Sequence, residues 1–423
     1  MKQTGKYSFG VGDRFSCQGK AQLEALMNAS DDLGIEITPV WNKSNREHTI
    51  IHSEPADTRA EADAAVRALG YKGLYFVDAD HINLKTVGRF IDHSDFFTID
   101  VADYIGKRAP DTDIEGFVET HMSYCGVIAI PGISEMFSVT EVYLRSFAEK
   151  FLFAINEAYA IYQHIATAKG ADTFVTEVSM DEVDEPQKPL DMLFILKCLA
   201  DLHVPVQTVA PKFTGRFNKG VDYVGDLERF TKEFEENILV IDYAVREFGL
   251  PASLKLSVHS GSDKFSLYPV IGSLIRKHNC GIHIKTAGTT WLEEVIGLAV
   301  AGGKGLDIAR LIYRHAYERR EELCAPYATV IDIRPGKLPL PDDIDTWTSQ
   351  RFAETLRHVP ENLNYNPDFR QLIHVGYKVA ADLGKEYIDA LRTNAGVIGA
   401  CVKENIYDRH IMPLFSHTSH NTL

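Results

Sequence analysis

Cysteine is scarce in this chain of 423 residues: there are six, scattered, with no CxxC pair. That argues against a zinc ribbon or a disulfide framework and leaves reduced cytoplasmic thiols as the expectation. Basic residues are short as well, 44 Lys and Arg against 59 Asp and Glu, for a formal charge of −15. A nucleic-acid binder normally presents a basic face, so no nucleic-acid partner is expected. An anionic small substrate stays open, because a local cluster of Lys and Arg can act inside an acidic protein. No apolar run approaches the about 18–20 residues of a membrane helix, so no membrane partner is expected. The opening MKQTGKYSFGVGDRF lacks a basic head followed by an apolar core. A cytoplasmic protein without a secretory leader is therefore the expectation. Finally, no GxGxxG follows a first strand and no Walker A motif is present, which weighs against a doubly wound nucleotide-binding sheet.

What is present is a repeated grammar. GLYFVDADHIN (Gly73–Asn83) runs from an apolar strand into Asp78, Asp80 and His81. TFVTEVSMDE (Thr173–Glu182), SLKLSVHSGSDK (Ser253–Lys264) and GIHIKTAGTTW (Gly281–Trp291) do the same, ending in Glu, His, Lys, Ser or Thr. Several strands delivering such residues at their carboxyl ends point to one shared site above a parallel sheet. YSFGVGDRF, IEITPVWNK, FFTIDVADYI, VPVQTVAPKF and YATVIDI bring the strand candidates to nine, one more than an eight-stranded barrel uses. Helical spacing separates them over 18–33, 61–69, 139–168, 191–202, 227–248 and 269–277, and Gly34 reads as a stop. Strand–helix alternation predicts an α/β fold, a (β/α)8 TIM-type barrel with extra carboxyl-terminal helices. Residues 1–415 are expected to form one domain, followed by a disordered tail over 416–423. The late helices would cap the site or make a contact in a homo-oligomer.

His81, His259 and His283 each fall near a strand end. Singly, each reads as a hydrogen-bonded barrel-top residue; together, three imidazoles from separate strands favour a divalent metal: zinc, nickel, cobalt, iron or manganese. Asp80 and Glu177 are the candidate proton carriers, since partial burial raises a carboxyl pKa towards the working range. Asp78 shares the side of the strand that Asp80 occupies and is the alternative. Asp181, Glu182, Asp184 and Glu185 read as a solvated acidic loop. Ser260, Ser262 and Lys264, with Lys285 and Thr286, form two donor-rich loops suited to a carboxylate or phosphate on the substrate. Lys212 and Arg216 are further cationic candidates. Asp368, Arg370 and His374 could approach from the late helices, although a surface helix is the simpler reading there.

FGVGDRF (Phe9–Phe15), FVDADHI (Phe76–Ile82), KLSVHSGSDKFSLYP (Lys255–Pro269) and HIKTAGTTWLEE (His283–Glu294) together resemble the tagaturonate epimerase family, UxaE. The resemblance extends to about residue 415 and implies a metal-dependent isomerase of hexuronate catabolism that interconverts D-tagaturonate and D-fructuronate. It implies Asp80 and Glu177 as the acid/base pair and His81, His259 and His283 as metal ligands. The two sugars differ at a carbon β to the ketone, so deprotonation beside the carbonyl cannot invert it. Retro-aldol cleavage and re-addition can. Transient oxidation is the other route, and no dinucleotide fingerprint supports it. The same residues would also serve a metal-dependent aldolase or isomerase of another keto-sugar acid. A non-catalytic sugar-acid binder is a third reading, but binding alone needs neither the histidine trio nor paired carboxylates.

Overall fold

A computed structural model of the chain describes residues 2–286 and 288–416. Eight parallel strands close into a barrel: β1 (Tyr7–Val11), β2 (Ile37–Ser44), β3 (Phe76–Ile82), β4 (Phe96–Asp100), β5 (Val175–Ser179), β6 (Val206–Ala210), β7 (Lys255–His259) and β8 (Ile282–Lys285). β8 returns to pair with β1, Gly10 opposite Lys285, so no edge is left open. Because side chains alternate along a strand, each strand sends one set to the helices and one into the barrel. The outer set merges with the helices in the main core. The inner set contains one apolar layer, Val40, Phe76, Phe96 and Val175, that is separate from that core. Above that layer the barrel interior is polar, and this polarity is what the fold exists to position.

The expected helices are present. Gly19–Leu33 ends on Gly34 in the left-handed region (φ 63°), as a glycine cap should. Leu227–Phe248 begins on Asp226, whose carboxylate accepts from the Glu228 and Arg229 amides at 2.9 and 3.2 Å. The helix foreseen over 139–168 runs from Glu141 to Lys169 but passes through a π-helical stretch, Ala148–Leu152.

Two expectations need correction. YATVIDI is not a strand: its first residue closes the 3-10 turn Ala325–Tyr327, and the segment lies outside the barrel. Its backbone is committed elsewhere, Val330 O accepting from the Lys219 amide at 2.7 Å and the Asp332 amide donating to Gln371 Oε1 at 2.8 Å. Conversely, Gly126–Ala129 and Met136–Val139 form an antiparallel pair that the strand pattern did not suggest, each strand being only four residues long. Of the expected tail over 416–423, residues 417–423 fall outside the described residues. Among the described residues, no helix is long and apolar enough to cross a membrane.

The carboxyl-terminal helices are integral to the barrel's top. Helix Thr289–Ala301 is buried almost all round, its two glutamates included. The later helices cover it, with Trp291 Nε1 donating to Ile373 O at 2.9 Å. Asp263, in the loop after β7, ties them down. It accepts from Arg370 Nη2 at 2.7 Å, lies 3.2 Å from His358 Nδ1, and is fully buried. Burial would raise its pKa, but Arg370, His358 and His410 hold it well below the carboxylate range. Asp263→Asn strands a buried guanidinium and is expected to cost about 3–5 kcal/mol in urea unfolding at pH 7. Because the folded pKa is depressed, this stability is present above the unfolded pKa and is lost as pH falls. The gap between wild type and variant should therefore shrink below about pH 4.

Candidate functional site

A cavity of about 440 Å³ opens over the carboxyl ends of the strands, where barrels of this type carry their chemistry. Its floor is made largely by β3. Alternation puts Asp78 and Asp80 on the inner face, above Phe76. The register with β4 then shifts between Ala79 and Ile82. His81 adopts a left-handed φ of 50°, a conformation that is costly for a non-glycine residue and recurs at functional sites. This irregularity lets consecutive residues, Asp80 and His81, both face the cavity.

Lys285, from the end of β8, reaches across the barrel. A Cβ on Gly10 would lie 3.0 Å from Lys285 Cγ, so the missing side chain leaves the lysine its path. The ammonium lies 2.7 Å from Asp78 Oδ2, 2.9 Å from Asp80 Oδ1 and 2.9 Å from Glu177 Oε1. It also donates to Thr98 Oγ1. Three buried carboxylates around one cation leave excess negative charge, which the group relieves by splitting its pKa values. Burial, then the charges of Asp80 and Glu177, push Asp78 up to about 7 against the pull of Lys285. Asp80 resists burial because Lys285, His81 and His259 draw it down to about 2. Glu177 is likewise held well below its ordinary value, against burial, by Lys285 and His259.

Glu177 does not line the cavity; it is fully buried beneath it. Its Oε1 meets His259 Nε2 at 2.8 Å, and His259 borders the cavity. On the other side of that ring, Nδ1 is 3.2 Å from Asp181 Oδ1. Burial would lower the His259 imidazole, yet Asp181 and Glu177 bring it to about 9 over the opposition of Lys285. His81 Nδ1 lies 3.1 Å from Asp100 Oδ2. Asp80, Asp100 and Asp181 raise that imidazole well above its ordinary value, again against burial.

One ligand atom each from His81, Asp181 and His259 lie within 4.8 Å of one another. Two imidazoles and a carboxylate suit a divalent first-row metal. The carboxylates that attract protons to these rings would equally favour a cation in the protons' place, so the residues fit the group. The expected trio is corrected in one member. His283 shares the inner face with Lys285 but lies two residues lower, its Nδ1 2.9 Å from Ser8 Oγ and its ring 5.2 Å from Phe96 in the apolar layer. Asp181, read from sequence as part of a solvated loop, stands where His283 was expected. The inner-face parity of Glu177 and Ser179, continued two residues, was the signal for it.

The donor-rich loops are also corrected. Ser260 Oγ donates to Lys285 O at 2.6 Å and Thr286 Oγ1 to Gly10 O at 3.0 Å. Ser262 Oγ accepts from the Gly220 amide at 2.9 Å. Lys264 Nζ donates to Val221 O at 2.9 Å and Asn218 O at 3.1 Å. These groups hold the loops together; of the five expected contacts only Lys285 lines the cavity. Lys212, Arg216, Asp368 and Arg370 do not line it, whereas His374 does.

The opposite wall carries residues that sequence reasoning passed over. Arg14 follows β1, with Nε 3.1 Å from Glu47 Oε1 and its guanidinium 4.0 Å over the Tyr377 ring. Arg46, just past β2, lies 5.1 Å over Tyr327, and the two tyrosine hydroxyls are 3.0 Å apart. Lys219 completes this wall. Arg14 lies within the FGVGDRF motif, but no local pattern links it to tyrosines more than 300 residues away.

Comparison with known proteins agrees with this geometry. The model of the UxaE family, described as tagaturonate epimerase, matches residues 1–393. A Thermotoga maritima protein named tagaturonate/fructuronate epimerase is 29% identical over 422 residues, covering 96% of this chain and 80% of its own length. The native crystal structure of fructuronate-tagaturonate epimerase UxaE from Cohnella laeviribosi is 23% identical, with a TM-score of 0.79 over 98% of this chain and 82% of that one. Its one-glycerol complex is 24% identical with the same TM-score, over 98% and 81%. At these identities the two structures speak for the fold.

The opposed shifts of Asp78 and Asp80 have opposite consequences in metal-free protein. Asp78, raised to about 7, contributes stability below its unfolded pKa of about 3.9 and loses it as pH rises towards 7. Asp80, lowered to about 2, contributes stability above about 3.9 and loses it on acidification. In urea unfolding with chelator present, Asp78→Asn should gain on wild type between pH 4 and 7, and Asp80→Asn should gain only below pH 4. Parallel wild-type and Asp78→Asn profiles from pH 4 to 7 would show that the proton is held elsewhere.

Proposed function

The chain belongs to the tagaturonate epimerase family, and on that premise we propose that it interconverts D-tagaturonate and D-fructuronate by retro-aldol and aldol steps at the cavity floor. It is an enzyme of the isomerase class, a carbohydrate epimerase. The observation that supports this mechanism is the buried group of Asp78, Asp80 and Glu177 around one lysine, directly beside the pair of cavity-lining histidines.

The reaction needs a base for one hydroxyl, a proton donor for the re-formed alkoxide, and positive charge near the ketone. Asp80 is the base: it lines the cavity and is ionised across the neutral range. It takes the proton from the hydroxyl at the carbon to be inverted. The bond between that carbon and its neighbour on the ketone side breaks, its electron pair moving to the ketone as an enediolate. The remaining fragment is an aldehyde; turning over its carbonyl presents the other face. Re-addition makes the epimeric alkoxide, and a proton returns from Lys285, which Asp78 at 2.7 Å can replenish. Lys285 also places its charge where the enediolate develops. Glu177 is a positioning residue, orienting His259 through their 2.8 Å contact. His81, Asp181 and His259 would hold a divalent cation, which when bound supplies Lewis-acid stabilisation of negative charge on oxygen.

Metal-stripped protein incubated with D-tagaturonate should yield D-fructuronate by NMR only after a divalent ion is restored. Asp80→Asn should lower kcat by roughly 10²–10⁴-fold. No turnover by folded protein with any ion would refute the epimerase reading. Tightly bound NAD, with no three-carbon fragment ever trapped, would refute the retro-aldol route alone.

A further inference from the structure

The wall facing the reaction centre carries more positive charge than the proton chemistry uses. Arg14, Arg46 and Lys219 all border the cavity, and partial burial, then Arg46 and Arg14, lower the Lys219 ammonium against the pull of Glu182 and Asp181. Glu47 is engaged by Arg14 and Glu182 sits exposed at the rim. Among the described residues the Lys219 ammonium has no ion-pair partner. Like charges gathered on one wall favour an anion between them.

A second observation lies beside them. His374 is 1% exposed, borders the cavity, and neither ring nitrogen has a hydrogen-bond partner among the described residues. Leaving such a buried group unsatisfied is costly, a cost that a bound polar ligand removes. Burial, with Arg14 and Lys219 nearby, keeps this imidazole neutral, so it can donate from one nitrogen and accept at the other. Two glycines keep the space open. A Cβ on Gly288 would stand 2.3 Å from His374 Nε2, and one on Gly261, whose φ is +66°, would stand 3.3 Å from Lys219 Nζ.

We propose that Arg14, Arg46 and Lys219, with His374 on the adjacent hydroxyl, form the subsite that binds the carboxylate of the sugar acid. The assignment rests on the epimerase reading and adds to it an orientation: the acid end lies against this wall, the ketone end towards His81 and His259. It also gives the subsite a task in the reaction. Carbon–carbon cleavage leaves the carboxylate on the aldehyde fragment. A fragment anchored by that group can turn its carbonyl over about the bond nearest the anchor without leaving the cavity. The guanidinium groups suit a carboxylate's two oxygens, and a neutral hexulose offers no anion to this wall.

The test separates binding from turnover. Titration calorimetry on the whole chain would compare D-galactonate, a six-carbon acid with no ketone, with galactitol, its neutral counterpart. Wild type should prefer the acid by at least 10-fold. Lys219→Met, which keeps the stem, should lose most of that preference, and Lys219→Arg should restore it. In parallel, the ratio of kcat/KM for D-tagaturonate to that for neutral D-tagatose should fall at least 10-fold in Lys219→Met. Wild type that binds acid and alditol alike would overturn the subsite, as would a Lys219→Met variant with wild-type preference, even if D-tagaturonate is epimerised normally. Discriminating acid binding that depends on Lys219, without epimerisation by wild type, would uphold the subsite and refute the reaction assigned to it.

Discussion

Everything at the cavity floor depends on one ammonium held among three carboxylates. Lys285 at the centre of Asp78, Asp80 and Glu177 cannot neutralise them all, and in a buried setting the residual charge has to be resolved locally. It is resolved by separation: one carboxyl is raised to about 7 while the other two are held low. The negative charge left over then governs its neighbours. Together with Asp181 and Asp100 it draws the two histidines of the rim towards positive charge, which makes the same spot attractive to a cation. Removing the lysine would therefore alter the histidines it never touches. The barrel makes this possible because closure puts the ends of β3, β5 and β8 around one axis although Asp80 and Lys285 are 205 residues apart in the chain.

The fold was legible because its signals are local. Eight strands with apolar runs and polar ends, spaced by helical periods, are what a parallel barrel requires. YATVIDI was misread because an apolar, β-branched run reads the same whether it pairs with a strand or has its backbone held by a side chain such as Gln371. The short pair Gly126–Ala129 and Met136–Val139 gave too little alternation to register. Within the site, residues at strand ends were visible one strand at a time. The depth of each was not: IHIK puts His283 and Lys285 on one face, but only barrel geometry says that one layer is floor and the next is packing.

Loops were harder. Ser260, Ser262, Lys264 and Thr286 look like ligand donors because donors are what both an anion site and a tight loop need. The difference lies in where the bonds go, and here they go to main-chain groups of neighbouring strands and loops. Arg14, Tyr327 and Tyr377 meet across more than 300 residues of chain. Sequence carries no mark of such a meeting when only one chain is read.

The distribution of the site along the chain has a consequence for the order in which its abilities arise. His81, Asp181 and His259 are all in place before β8 is reached, whereas Tyr327, His374 and Tyr377 belong to the helices that follow it. A growing or partly folded chain thus contains its metal-ligand candidates, and the cations that face them, well before it contains the tyrosines and His374. The late helices that complete that wall are tied to the barrel by the contact of Asp263 with Arg370. Docking of the last third of the polypeptide is therefore the event that turns an open cup of acids and imidazoles into a chamber with two chemically distinct ends.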